Sequence, residues 1–596
     1  MMWKRLTERQ SATSAMAHDA AGGRFDVSWA VMIDGREQLD ALQPGVVRSL
    51  SEELGVEALA GRMCPVLMTD QRVAVFSLRE HVGSDQADEL TRRIVQKGHQ
   101  LAKPARYVLD APLLLAVARN QLTASVAGPQ GGRTEPSHSR TALAAAFQDL
   151  VEWGVRHDAS DLHLNVHSGR PDSEIRYTIR GQYVAPERFR KIPTRMLSDM
   201  LAVIWMDIQG GNGALFDPQI EQQGSLLRRV DNNDVVIRWA SLAADTGPSV
   251  CLRLLVQNVN PAMRDLGALG YLPDQIRDIE RVTMSQGGAI VFAGTVGSGK
   301  STTLATLISR IPADRKVITI EDPVEYRIPN AIQNTVVRAL SEASPRAYAA
   351  KLRTLKRSAM TDVLLGEVRD RETGQAFMDL AGSGVSLYTT LHAPSAAIVP
   401  DRLASDFIGV SRDFLLTPGV LRLIVFQALV PRLCPHCSHP AGDLLRPARA
   451  GQAGKHDRRD WARWLEGIGD MYQIDATSMR IRHPGGCDHC GTAATSGLKG
   501  YAGRMVVAEL IEPALQPDYL DCVHDRQAGQ WLLEQTRHLA CRGLHASSVW
   551  RSAMDNAVRA SLEGHIDPRD IERHFMAFET RHHQLQRCGR NPQAVN

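Results

Sequence analysis

A strong charge excess is missing from this 596-residue chain, in which 69 basic and 66 acidic side chains leave a net charge of +3. Bulk nucleic-acid binding needs such an excess, because affinity for phosphate backbones comes from clustered Lys and Arg; a local basic groove stays open. Nucleic acid is therefore not the expected partner. Long apolar runs are missing too: no uncharged stretch approaches the roughly 20 residues that span a bilayer, and Pro112 to Val117 is far too short. The opening segment, Met1 to Gln10, is polar and has no apolar core of the kind a secretory signal carries. Both absences point to a cytoplasmic chain whose membrane contact is peripheral or made through a partner. No internal repeat is evident, nor a pattern of aromatic residues interleaved with basic ones that would stack bases. What remains is 43% apolar content, enough for ordinary cores, in a length that predicts about three to five domains.

The most informative residues are Gly294, Thr295, Val296, Gly297, Ser298, Gly299, Lys300 and Ser301, which match the phosphate-binding loop G-x-x-x-x-G-K-[ST] without a substitution. Glycines let the backbone curl so that successive N–H groups face phosphate oxygens, Lys300 reaches the β- and γ-phosphates, and the Ser301 hydroxyl ligates Mg²⁺. Thr302 follows directly and counts with the nucleotide-binding set. The flanks fit: Ala289 to Ala293 reads as a buried strand, and Lys300 to Arg310 contains no Gly or Pro, so the loop joins a strand to a helix.

Four of the nine cysteines form two close pairs, Cys434-x-x-Cys437 and Cys487-x-x-Cys490. In a reducing compartment this favours metal over disulfides, and two such knuckles complete a closed Cys₄ zinc site; reduced buried thiols or a redox pair are the alternatives.

A Gly/Pro/Ser-rich stretch over 127–139 reads as a linker. It cuts off a domain over 1–126 with no catalytic constellation, to which a docking role falls by default. Residues 140–258 read as a small α+β domain: Thr141 to Val155 has helical apolar spacing, and Glu174 to Ile179 and Asp234 to Trp239 look like strands. Beyond Asn260-Pro261, residues 259–430 alternate strands and helices in the manner of a RecA-like α/β core. The cysteine-bearing segment follows over 431–510, and a helical region over 511–596.

Two acidic clusters fall at predicted strand ends, where an α/β sheet presents ligand-binding groups. One is Glu321-Asp322-Pro323-Val324-Glu325; the other is Glu367, after a strand resembling a Walker B segment with Gly366 in place of the usual aspartate. Glu367 is the best candidate to guide an attacking water, while Glu325 and Asp322 are candidates to hold Mg²⁺ or its waters. Solvated strand ends are the plainer reading.

Taken in order, the phosphate loop, Ile320 to Glu325, Gly366 to Asp370, Thr389-Thr390-Leu391-His392 and the paired cysteines resemble the ATPases of the type II secretion and type IV pilus superfamily. The resemblance extends to Ala159 to His163 upstream and Gly500 to Arg504 downstream. It implies an α/β fold: a RecA-like P-loop core preceded by an α+β (PAS-like) domain and a docking domain, with a Cys₄ zinc insertion and a helical tail. It also implies a homo-hexamer using ATP, Mg²⁺ and Zn²⁺, with ATP held between the N- and C-terminal halves. The expected partners are an inner-membrane platform protein or a membrane-anchored docking protein, at the cytoplasmic face of that membrane. Arg238 and Arg253 match arginines that reach toward phosphates from the N-terminal half, surface ion pairing being the alternative. Arg353, Arg357 and Arg369 match arginines near subunit contacts, helix-surface solubility being the alternative for the first two; His392 matches the second histidine of a His box, a structural histidine being the alternative. Two departures stand out: Val385 replaces the first histidine, and Ala359 and Thr361 replace acids before the Walker B strand. They suggest a divergent branch, such as the type IVb or plasmid thin-pilus group. The cysteine pairs and extra N-terminal domain favour assembly or secretion over retraction. A DNA-translocating or conjugation-associated motor is the alternative, and a scaffold that binds ATP without hydrolysing it is a third.

Overall fold

A computed structural model describes residues 25, 27–33, 38–39, 41–56, 59, 61–109, 111–118, 142–257, 265–336, 351–352, 354–446, 457–490, 496–544 and 550–589. The linker read over 127–139, and Arg353, lie outside them. The chain divides into two units, Met1–Leu255 and Val256–Asn596.

The first unit carries two sheets. Strands Val31–Ile33, Leu101–Leu109, Val73–Ser77, Met63–Met68 and Val46–Ser49 lie side by side in that order, with helix Asp85–Gln96 capped by the Ser84 side chain on the amide of Ala87. The second sheet runs Gln222–Val230, Asn233–Leu242, Ser249–Gln257, Ala159–Asn165, Asp172–Ile179, Gln182–Val184. Burial alternates strictly along Asp172–Ile179, so one face meets a core and the other meets water. Helices Ala142–Arg156 and Thr194–Trp205 supply apolar faces, with Phe147, Leu150, Leu197 and Leu201 buried.

The second unit is built on a seven-stranded sheet: β1 (Ala289–Ala293), β2 (Val317–Glu321), β3 (Ala331–Thr335), β4 (Asp362–Leu365), β5 (Ser386–Leu391), β6 (Leu421–Leu433) and β7 (Tyr501–Ile511). Their order is β3-β2-β4-β5-β1-β6-β7, with β1 to β6 parallel and β7 antiparallel to β6. Strands buried on both faces read as unbroken apolar runs, and β1 does so. Along it Ala289, Val291 and Ala293 pack into one core with Phe377 and Leu380, while Ile290 and Phe292 pack into the other with Leu304 and Tyr388. After β1 the chain passes through the phosphate loop into helix α1 (Lys300–Ile308), then returns as β2 on the far side of β5 and β4. An open parallel sheet places its ligand crevice at the carboxyl ends beside such a crossover. The α/β class read from the sequence holds.

At Leu433 the chain leaves the sheet, and at Tyr501 it rejoins it on the neighbouring strand. The cysteines are therefore an excursion between β6 and β7, and both 430 and 510 fall inside these strands. Helix Arg458–Tyr472 lies in that excursion; its Tyr472 hydroxyl donates to Asp555 at 3.0 Å, and Arg581 pairs with the same carboxylate at 2.7 Å. These buried bonds tie the excursion to helices Ala553–Leu562 and Phe578–Gly589 of the C-terminal region.

Candidate functional site

Gly297 and Gly299 hold φ of +75° and +84°, the left-handed region that glycine enters without a Cβ penalty. At Gly294 the constraint is space, since a Cβ there would lie 2.4 Å from the Gln427 carbonyl oxygen and 2.6 Å from the Ser298 hydroxyl. α1 begins at Lys300 with no side-chain cap on its first turn, leaving its amides directed into the loop. Lys300 is buried and arches back over the loop, its Nζ donating to the carbonyls of Gly294 and Thr295, both at 2.9 Å. Burial lowers its pKa to about 8, a fall opposed by the charges of Glu367 and Glu325. Ser301 is exposed at the mouth, and the Thr302 hydroxyl donates to the Tyr326 oxygen at 3.1 Å.

Glu367 and His392 follow β4 and β5 on the same sheet edge. His392 Nε2 lies 3.1 Å from Glu367 Oε1, while its Nδ1 lies 3.1 Å from the Gly294 carbonyl oxygen. Both ring nitrogens thus face oxygen atoms, one of the carboxylate and one of the loop backbone. One ring spans the phosphate loop and the carboxylate. Gly366 is explained by crowding: a Cβ there would sit 3.2 Å from the Ile320 carbonyl oxygen, which already accepts the Gly366 amide at 2.9 Å. The Thr390 hydroxyl closes the turn by donating to the Gly366 carbonyl at 2.6 Å.

Of the remaining acids, Glu325 acts on Lys300 through its charge. Asp322 pairs with Arg369 at 3.1 Å, so a magnesium role for Asp322 requires that pair to open. Arg238 and Arg253 belong to the other unit, on strands Asn233–Leu242 and Ser249–Gln257. Arg253 Nε donates to Asp161 Oδ1 at 3.1 Å, an ion pair across neighbouring strands. Arg357 lies in a turn beyond residues 354–355. Sequence reading assigned no role to Glu321 or Gln427. Burial raises the pKa of Glu321, although Thr319 and Gln333 donate to it and oppose the rise. Gln427 is a fully buried amide in the apolar run of β6, and that misplacement of a polar residue was the available signal.

The four cysteine sulfurs all lie within 4.8 Å of one another. Cys434 and Cys487 are 3.8 Å apart, Cys437 and Cys490 are 3.7 Å apart, and Cys487 and Cys490 are 3.8 Å apart. Four bonds of about 2.3 Å at tetrahedral angles place sulfurs about 3.8 Å apart, so the set fits a zinc ion with no open position. Burial alone would raise the Cys490 thiol, yet amides of Cys487 and Gly500 donate to it and the balance falls to about 7. Reduced full-length protein is expected to carry about one zinc per chain, as four thiolate ligands require. Cys490→Ala should lower zinc content and the unfolding temperature of the C-terminal part while leaving the phosphate loop able to bind nucleotide. Elemental analysis finding no zinc in the parent protein would remove the site.

Two curated relatives frame the comparison. Type II secretion system protein E of Klebsiella pneumoniae is 30% identical over 367 residues, covering 61% of this chain and 64% of the relative, so the chain spans under two thirds of that protein's length. The type IV pilus assembly ATPase PilB of Thermus thermophilus is 29% identical over 379 residues, 62% of this chain and 37% of the relative. Among solved structures, the Legionella pneumophila ATPase DotB aligns at 18% identity with a TM-score of 0.45, covering 74% of this chain and 96% of that one. Residues 138–556, more than half of the chain, match the family described as Type II/IV secretion system protein. That span holds the phosphate loop, Glu367, His392 and all four paired cysteines, and the chain belongs to the type II/IV secretion system protein family.

Proposed function

We propose that this chain is an ATP hydrolase working as a homo-hexameric motor at the cytoplasmic face of the inner membrane, driving assembly of a type IV pilus or a secretion pseudopilus. The observation that carries the reading is the convergence of Glu367, His392 and the buried Lys300 on the phosphate loop at one sheet edge, inside a segment matching that family. Lys300 supplies charge to the β- and γ-phosphates, and the loop amides supply donors. Ser301 would hold Mg²⁺, with Glu325 and Asp322 as the carboxylates that would bind the ion or its waters; the ion would neutralise phosphate charge. Glu367 orients the attacking water and accepts its proton, and His392 passes any shift of Glu367 to the loop. Arg238 and Arg253 are further nucleotide-binding residues in this reading, and Arg253, paired with Asp161, must exchange that carboxylate for a phosphate. The cysteine excursion is structural, and residues 1–126 serve to dock a membrane-anchored partner or the platform protein.

Purified full-length protein is expected to hydrolyse ATP only with Mg²⁺ and to run as a hexamer on a sizing column with a non-hydrolysable ATP analogue. Single-stranded DNA should leave the rate unchanged. Strong, salt-sensitive stimulation by DNA would instead identify a nucleic-acid motor.

A further inference from the structure

Beneath the phosphate loop lies a buried polar relay to which the proposed reaction assigns no part. Gln427, on β6, is fully buried and donates from Nε2 to the Ser298 carbonyl oxygen at 2.8 Å. Its Oε1 accepts the Tyr271 hydroxyl at 2.6 Å, and Tyr271 is itself 3% exposed. The amide orientation is not arbitrary, because a carbonyl can only accept: Nε2 must face Ser298, which leaves Oε1 for the tyrosine. In a trans peptide the carbonyl of one residue and the N–H of the next point in opposite directions. Drawing the Ser298 carbonyl down toward Gln427 therefore turns the Gly299 N–H up into the cradle. Gly299 has φ of +84° and, lacking a Cβ, could swing this peptide through other orientations at small cost. A Cβ at Gly299 would also lie 3.4 Å from Gln427 Nε2, so the amide packs directly under the loop.

We propose that Tyr271 and Gln427 are positioning residues that fix the Ser298–Gly299 peptide with its N–H facing a bound phosphate, so that the loop is preorganised for the polyphosphate before it arrives. Preorganisation removes an ordering cost from binding and leaves the chemical step untouched, so the signature is a change in KM at constant kcat. The inference rests on reading residues 294–301 as a nucleotide cradle.

The test measures Mg·ATP turnover and ADP binding by the full-length chain carrying Gln427→Glu or Tyr271→Phe, with Lys300→Ala as reference. In Gln427→Glu the ionised carboxylate offers no donor and sets oxygen against the Ser298 carbonyl; the expected rise in KM and in the ADP dissociation constant is about tenfold or more, the effect of one unsatisfied buried group. A protonated carboxylic acid regains a donor, and burial favours that form. Acidification from about pH 7.5 to about pH 6 should therefore restore affinity to Gln427→Glu and leave the parent unchanged, a response that loosened packing alone would not give. Tyr271→Phe removes a single hydroxyl and should raise KM about threefold with kcat retained, which keeps the proposal testable should the Gln427→Glu variant fold poorly. Unchanged KM and ADP affinity in Tyr271→Phe, in a parent that binds nucleotide and loses it with Lys300→Ala, overturns the relay alone. A parent whose nucleotide affinity is indifferent to Lys300→Ala overturns the cradle reading beneath it.

Discussion

Glu367→Gln is expected to leave ATP bound while turnover falls by about 10²- to 10⁴-fold, the range for removal of a general base. The substitution keeps the side chain's shape and one oxygen for the His392 Nε2 now 3.1 Å away, so the bridge to the Gly294 carbonyl can persist. What disappears is the ability to take a proton from water and one negative charge at a site meant for phosphates. Losing that charge should hold or tighten ATP affinity, which separates a chemical defect from a binding defect. Single-turnover kinetics with radiolabelled ATP, alongside equilibrium binding, reads both at once. A rate equal to the parent's would take Glu367 out of the reaction and leave Glu325, whose charge also acts on Lys300, as the next candidate.

Removing Lys300 should act on the other half of that split. Lys300→Ala deletes an ammonium positioned against the loop and is expected to weaken ATP binding by about 10- to 150-fold, the worth of a charge-assisted hydrogen bond at about 1.5–3 kcal/mol. Its pH behaviour carries a sign that can be checked. Burial lowers the Lys300 pKa from 10.5 to about 8, so the empty site holds the ammonium below about pH 8 and loses it above. Nucleotide prefers the charged form and must restore the proton at higher pH. Affinity should therefore be flat below about pH 8 and fall by up to about tenfold per unit above it, with proton uptake on binding. Lys300→Arg should flatten the profile, because a guanidinium stays charged throughout. Titration calorimetry in buffers of different ionisation enthalpy measures the uptake. An affinity flat to about pH 10 in the parent would contradict the buried ammonium.

The replacements at Val385, Ala359 and Thr361 take a different weight once the strands are in place. Val385 immediately precedes β5 and packs partly buried against the core, whereas His392 immediately follows the same strand. A six-residue strand covers about 20 Å, so Val385 sits at the edge of the sheet opposite the phosphate loop. Ala359 and Thr361 precede β4 and share that far edge; the Thr361 hydroxyl donates to Asp362 at 2.9 Å. The groups that approach Lys300 and Gly294 are Glu325, Glu367 and His392, all on the carboxyl side. Among the described residues, none of the three replacements lies at the cradle of its own unit.

Much of the fold was legible because it is written locally. Ala289–Ala293 matches its reading residue for residue, and helix Lys300–Ile308 lies within the Gly- and Pro-free stretch from Lys300 to Arg310. Consecutive apolar residues mark a strand buried on both faces, and glycine spacing marks a loop needing left-handed torsions; neither signal requires knowledge of distant residues. Other features are not legible locally, for an equally physical reason. Nothing near Asp322 in the sequence announces that Arg369, forty-seven positions away, pairs with it. A lone amide in the apolar run of β6 marks Gln427 as unusual, but nothing in that strand says what the amide faces.

From the sequence alone came the phosphate loop, the alternation of strands and helices, and two cysteine knuckles, since each depends on residues within a few positions of one another. Which distant pieces meet was decided by tertiary structure. Strand order brings His392 to Glu367 and Gly294, sets Gln427 beneath Ser298 across 129 positions, and folds an excursion so that sulfurs 53 positions apart close one tetrahedron. Periodicity tells a strand which face to bury but not which neighbour to pair with, and every one of these contacts lies at the end of a strand or between two of them.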